Sequence, residues 1–157
     1  MKTYLIVIGK TDDQYIIDGI DKYVKRIVKY HPFEIVLLPD IKKSKKLSFA
    51  EQKKQEGELL LKELEKYDKV ILLDERGEHY TSMKLAHFFE KLMVSGIKSL
   101  AFVIGGPYGF SDGIYNKYAQ KVTLSDLTFS HQLVRLLFVE QLYRINTIIK
   151  GEPYHHQ

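Results

Sequence analysis

Five short apolar runs, rich in β-branched residues, alternate with longer stretches of helical period, and this alternation constrains the fold more than any other feature of the chain. The runs are Tyr4 to Ile8, Phe33 to Leu38, Lys69 to Leu73, Ser99 to Ile104 and Lys121 to Leu124. Strands that repeat with a crossover helix between them build a parallel sheet, so the pattern predicts an α/β layer architecture. Tyr15, Ile16, Ile20, Tyr23, Val24, Ile27 and Val28 recur at steps of three and four, and Pro32 after His31 disfavours continuation of that helix. A second helix is expected over Ser48 to Tyr67, with Ser48 as N-cap and Glu51 completing a capping box. Others are expected over Thr81 to Ser95, Asp112 to Tyr118 and about His131 to Ile149.

A chain of 157 residues is expected to form one domain, 1–157, without a repeat or linker. It contains no cysteine, which excludes disulfides, thiolate zinc sites and cysteine nucleophiles. Its richest apolar stretches, Leu100 to Gly106 and Leu133 to Val139, fall far short of the roughly 20 residues of a membrane span. The opening Met1 to Gly9 is too brief for a signal peptide, so a cytoplasmic protein without membrane attachment is expected. Net charge is +4, which permits a polyanionic partner without demanding one. Residues 1–78 hold 16 basic and 15 acidic side chains against 8 and 5 in residues 79–157, so most of the surplus lies in the second half. Four lysines within Lys42-Lys43-Ser44-Lys45-Lys46 form either a solvated loop or an electrostatic foot for a phosphate backbone.

Two loops follow strands on the same edge of the expected sheet, the edge at which open parallel sheets bind ligands. The first, Ile104-Gly105-Gly106-Pro107-Tyr108-Gly109, allows close backbone approach, or is simply a tight strand-to-helix turn. Neither a P-loop nor a dinucleotide glycine fingerprint is present, which favours a ligand held by backbone at adenine and ribose over one held at pyrophosphate. The second, Leu124 to Ser130, leads into a helix whose apolar residues wrap most of its circumference. All-round apolarity signals burial, and it predicts one side on the sheet and another on a partner subunit. Arg135 and Arg144 fall on opposite sides of this helix, with His131 near the first and Glu140 near the second.

Phe102-Val103-Ile104-Gly105-Gly106-Pro107-Tyr108-Gly109, then Leu124 to Arg135, Glu140-Gln141-Leu142-Tyr143-Arg144 and the closing Gly151-Glu152-Pro153-Tyr154-His155-His156 resemble the RlmH family. These are ribosomal RNA large subunit methyltransferases of the SPOUT, or α/β-knot, superfamily. The likeness covers essentially the whole chain and is most specific in the second half.

That resemblance implies a Rossmann-like parallel sheet with a C-terminal trefoil knot, a homodimer, and S-adenosylmethionine as methyl donor. It further implies N3 of a pseudouridine in helix 69 of 23S rRNA, within the assembled ribosome, as the methyl acceptor. Donor contacts carry over to Leu73, Gly105, Leu124, Ser125, Asp126, Leu127, Thr128 and Phe129. Substrate or catalytic roles carry over to Arg135, Glu140, Arg144, Tyr154 and His155. Two positions depart from the family pattern: Ser130 stands where proline is frequent, and His156 where a basic residue is. Methyl transfer from a sulfonium is a one-step displacement that calls for no metal, and its chief requirement is alignment. Imidazole titrates near neutrality, which makes His155 the first candidate for a base, with Tyr154 against the target ring and an arginine for phosphate or an anionic edge. A non-enzymatic ribosome or RNA binder, and a SPOUT methyltransferase acting on another RNA, are the alternative readings.

Overall fold

The computed structural model describes residues 1–41 and 47–156, so the Lys42 to Lys46 run lies outside the described residues. Ten elements follow in the expected alternation: β1 (Lys2–Ile8), α1 (Gln14–Ile27), β2 (Phe33–Leu38), α2 (Phe49–Leu64), β3 (Lys69–His79), α3 (Ser82–Val94), β4 (Ser99–Ile104), α4 (Asp112–Lys117), β5 (Lys121–Thr123) and α5 (Leu133–Ile149). The strands form one sheet in the order β2-β1-β4-β3-β5, and every neighbouring pair is parallel.

Local chemistry sets the boundaries. At the start of α2, Ser48 Oγ accepts from Glu51 N at 3.2 Å while Glu51 Oε2 accepts from Ser48 N at 2.8 Å, closing the expected capping box. Thr81 Oγ1 accepts from Lys84 N and starts α3. The central strands β1 and β4, and β3 over Val70 to Leu72, are buried on both faces, as continuous apolar runs demand. One face carries α1, α3 and α5, with Leu5, Phe89, Phe102, Phe138 and Leu142 in its core. The other carries α2 and α4 over Ile6, Leu60, Leu64, Leu72 and Ile114.

Two departures from the expected elements matter for function. Strand β3 runs to His79 rather than ending at Leu73, because both Leu73 and Glu78 pair with Val122 and the residues between them bulge out of the ladder. Gly77 makes this possible: a Cβ there would stand 2.3 Å from the carbonyl carbon of Val122. The apolar circumference of α5 is also used more fully within the chain than the pattern implied, since the helix packs against both α1 and α3 as well as the sheet.

Candidate active site

At the carboxyl ends of β3, β4 and β5 the chain leaves a cleft of about 550 Å³, within the range of small-molecule sites. Its walls come from Leu73 to Arg76, from Ile104 to Phe110, from Tyr115, and from Thr123 to His131 with Val134. All eight positions expected to contact a donor therefore line one cavity: Leu73, Gly105, Leu124, Ser125, Asp126, Leu127, Thr128 and Phe129.

Backbone geometry shapes this cavity. The glycine loop closes through Gly109 N donating to Gly106 O at 3.1 Å, with Gly109 at φ +77°. A Cβ at Gly105 would crowd the Phe110 ring at 3.2 Å, and one at Gly106 would meet the buried Glu56 carboxylate at 2.3 Å. Gln52 Nε2 donates to that carboxylate at 3.0 Å, so α2 backs the loop from below. In the second loop Thr123 Oγ1 donates to Ser125 O, Ser125 Oγ accepts from Leu127 N, and Ser130 Oγ accepts from Leu133 N to start α5. Both loops thus line the cavity with glycines and short polar side chains beside the apolar Phe110, Leu127 and Phe129.

Beside Asp74, at the strand end that shares in the family resemblance, the bulge of β3 and the facing α4 add Arg76 and Tyr115, which the sequence did not single out. Tyr115 donates to Asp74 Oδ2 at 2.5 Å, and Asp74 Oδ1 accepts from Arg76 N at 2.8 Å. Burial and the adjacent carboxylate push the Tyr115 phenol up to about 12, so it stays a proton donor. Arg76 lies over the same ring at 5.2 Å. Nothing in the period of α4 marks Tyr115, because its role depends on a bulge one strand away.

The remaining expected residues divide into two groups. Arg135 is 2% exposed, and its guanidinium donates to Ile8 O at 2.7 Å, Gly9 O at 2.9 Å, Thr11 Oγ1 at 3.1 Å and His131 O at 3.2 Å. Those bonds hold the start of α5 to the end of β1, reinforced by Gln132 bridging Lys10 O and Asp12 N. Burial draws the Arg135 guanidinium below its ordinary value.

Glu140, Arg144, Tyr154 and His155 come together further along α5. Glu140 Oε1 accepts from Arg144 Nη2 at 2.6 Å and from Tyr154 Oη at 3.0 Å. Arg144 lies over the Tyr154 ring at 4.8 Å, and its Nη1 stands 3.3 Å from His155 Nδ1. Tyr23 Oη and the Tyr143 ring complete the group, and burial with these partners raises the Tyr154 phenol well above its ordinary value. Tyr23 read only as part of an apolar stripe; its phenol becomes visible once the tail folds back on α1. At 1.5 Å per residue, Glu140 and Arg144 lie about 14 to 20 Å along α5 from His131 at the cleft. One chain therefore holds both groups but does not bring them together.

Comparison with known proteins agrees with this architecture. A family model described as "Predicted SPOUT methyltransferase" matches residues 1–155. Ribosomal RNA large subunit methyltransferase H of Parabacteroides distasonis is 52% identical over 157 residues, and that of Flavobacterium johnsoniae 53%, each covering 100% of both chains. A tRNA methyltransferase from Aquifex aeolicus shares the fold at TM-score 0.55 and 16% identity, over 100% of this chain and 76% of that one. The chain belongs to the SPOUT methyltransferases and, among them, to the ribosomal RNA large subunit methyltransferase H family.

Proposed function

We propose that the protein transfers a methyl group from S-adenosylmethionine to ribosomal RNA, at N3 of a pseudouridine in helix 69 of 23S rRNA within the assembled ribosome. The observation that carries this reading is the convergence of Leu73, Gly105 and the 124–129 segment on one cleft. Its size suits a nucleoside joined to an amino acid, and its glycine and loop backbone suits an adenine edge. The donor supplies an activated methyl group on sulfur; this chain's residues supply position and proton handling.

The separation of the cleft from the tail group supports a homodimer. A second copy with its α5 reversed would set the tail of one chain beside the cleft of the other, completing a site that one chain leaves open. The half-buried outer residues of α5, among them Leu137 and Ile148, provide apolar surface for that contact. A trefoil knot fits the path of the chain. From β5, at the edge of the sheet, residues 124–132 return across the ends of β3 and β4 to the end of β1, where Gln132 and Arg135 are bound.

In the completed site, Tyr154 and His155 face the target base and Glu140 orients them through Tyr154 and Arg144. Because arginine only donates, His155 Nδ1 accepts from Arg144 in the free chain. When Arg144 turns to the developing anionic edge of the base, Nδ1 is released to take the N3 proton as the methyl group moves from sulfur to nitrogen. Arg135 acts at a distance, by fixing the start of α5 and with it the 124–130 wall. A cytoplasmic location follows from a ribosomal substrate; no helix among the described residues is long and apolar enough to cross a membrane.

Transfer of labelled methyl groups to intact ribosomes, separated subunits, free 23S rRNA and tRNA tests the reading. Label in ribosomal RNA at N3 of pseudouridine is expected; label confined to tRNA, or no rise in melting temperature with S-adenosylmethionine, would defeat it.

A further inference from the structure

Beside the mouth of the cleft stands an aromatic pair that the proposed reaction does not use. Phe49 is 69% exposed and Tyr108 37% exposed, yet their rings stack at 4.3 Å between centroids with planes 28° apart. Scattered exposed apolar residues are ordinary on protein surfaces. This pair differs because the backbone carrying each ring is anchored. Phe49 is the first residue of α2, inside the turn closed by the Ser48 and Glu51 capping box, and Tyr108 sits in the turn closed from Gly109 N to Gly106 O. The two elements are also locked to each other where α2 lays Glu56 under Gly106. Lys53, one helical turn beyond Phe49 on the same side of α2, lines the cleft together with Tyr108.

From this arrangement we infer that Phe49 and Tyr108 form a stacking platform for an unpaired RNA base next to the methylated nucleotide, with Lys53 facing the adjoining phosphate. The inference rests on the reading of the substrate as RNA. Aromatic faces accept any base, and a lysine beside them answers the charge that every nucleotide carries. Because the rings already stack on each other, a base added to the stack meets a preformed aromatic face. Tyr108 projects from the same loop as Gly105 and Gly106, so the platform stands beside the donor cleft, and stacking a neighbouring base would hold the RNA equally in the ground state and the transition state.

The test uses the full chain and a single-stranded RNA oligonucleotide carrying 2-aminopurine, whose emission falls on stacking. The wild-type protein is expected to quench it. Phe49→Leu should bind about tenfold more weakly with the quench lost, while Phe49→Tyr keeps both. In steady-state methylation of ribosomal RNA, Phe49→Leu should raise KM about tenfold with kcat and S-adenosylmethionine affinity unchanged. Full quenching by Phe49→Leu, or a KM equal to wild type, overturns the platform in favour of a plain apolar contact. Weakened S-adenosylmethionine affinity in Phe49→Leu overturns it by assigning the rings to the donor. A wild-type protein that quenches the oligonucleotide yet methylates no ribosomal RNA keeps the platform and removes the methyltransfer reading instead.

Discussion

The two ends of α5 are built from different materials. At its start the cleft is walled by strand ends, glycines and short loops, and the buried Arg135 behind that wall is spent on the carbonyls of Ile8, Gly9 and His131 and on Thr11 Oγ1. Toward its far end Glu140, Arg144, Tyr154 and His155 form a network of side chains that is only half buried. Shape made from backbone fails when an atom is added, whereas a network of side chains fails when a functional group is removed. The first end should therefore respond to substitution through stability and donor binding, and the second through rate.

Gly77→Ala offers the largest contrast. Its Cβ would lie within 2.6 Å of the backbone of Val122 and Thr123, so β5 must move and the 124–130 wall with it. A loss of about 3 kcal/mol in urea denaturation, together with loss of the S-adenosylmethionine-induced rise in melting temperature, is the expected result. His155→Ala should do the reverse, lowering kcat about a hundredfold while donor affinity and melting temperature hold. Undiminished methylation with RNA binding intact would remove His155 as the base.

Arg135→Lys sharpens the distinction between the two arginines. Lysine cannot reproduce the fork that reaches Ile8 O and Gly9 O together, so these buried carbonyls lose partners at a cost of about 2 kcal/mol. If stability is instead unchanged and RNA affinity falls, Arg135 belongs with the side-chain end in function despite its burial.

His31 reports on the far end through pH. Its ring is buried against Phe89, Nδ1 contacts Asn146 Oδ1 of α5 at 3.1 Å, and burial lowers its pKa below 6.5. The unfolded chain then binds a proton before the folded one does, so stability declines as pH falls through 6.5 toward the folded value, by up to about 1.4 kcal/mol per pH unit. Chemical denaturation from pH 8 to pH 5 should show that slope, and His31→Gln should flatten it. The smallest effect on stability belongs to Glu140→Gln. Its ion pair with Arg144 is partly solvated, so less than about 1 kcal/mol is expected in the same denaturation assay; a larger loss would mean that the far end also serves as scaffold.

Much of the fold was legible because period and caps are local. The β2 and β4 boundaries, the Ser48 and Glu51 capping box and the start of α3 follow from residues within a few positions of each other. The extension of β3 to His79 was not legible, since it depends on Gly77 meeting a strand more than forty residues away. Sequence placed Arg135 and Arg144 on opposite sides of one helix, but could not tell that the first would be consumed by the end of β1. Nor did it find Tyr115 and Tyr23, whose phenols gain partners only through folding.

By itself, then, the sequence determined the alternating α/β order, the two loops at one sheet edge and a family resemblance carried by the glycine loop, the 124–135 segment and the tail. Tertiary structure alone decided that the residues expected to contact the donor converge on one cleft while the tail residues gather about 14 to 20 Å along α5 from it. The reason is physical: periodicity fixes which side of an element a residue occupies, but distance between elements is set by packing across the whole sheet, which no local pattern encodes.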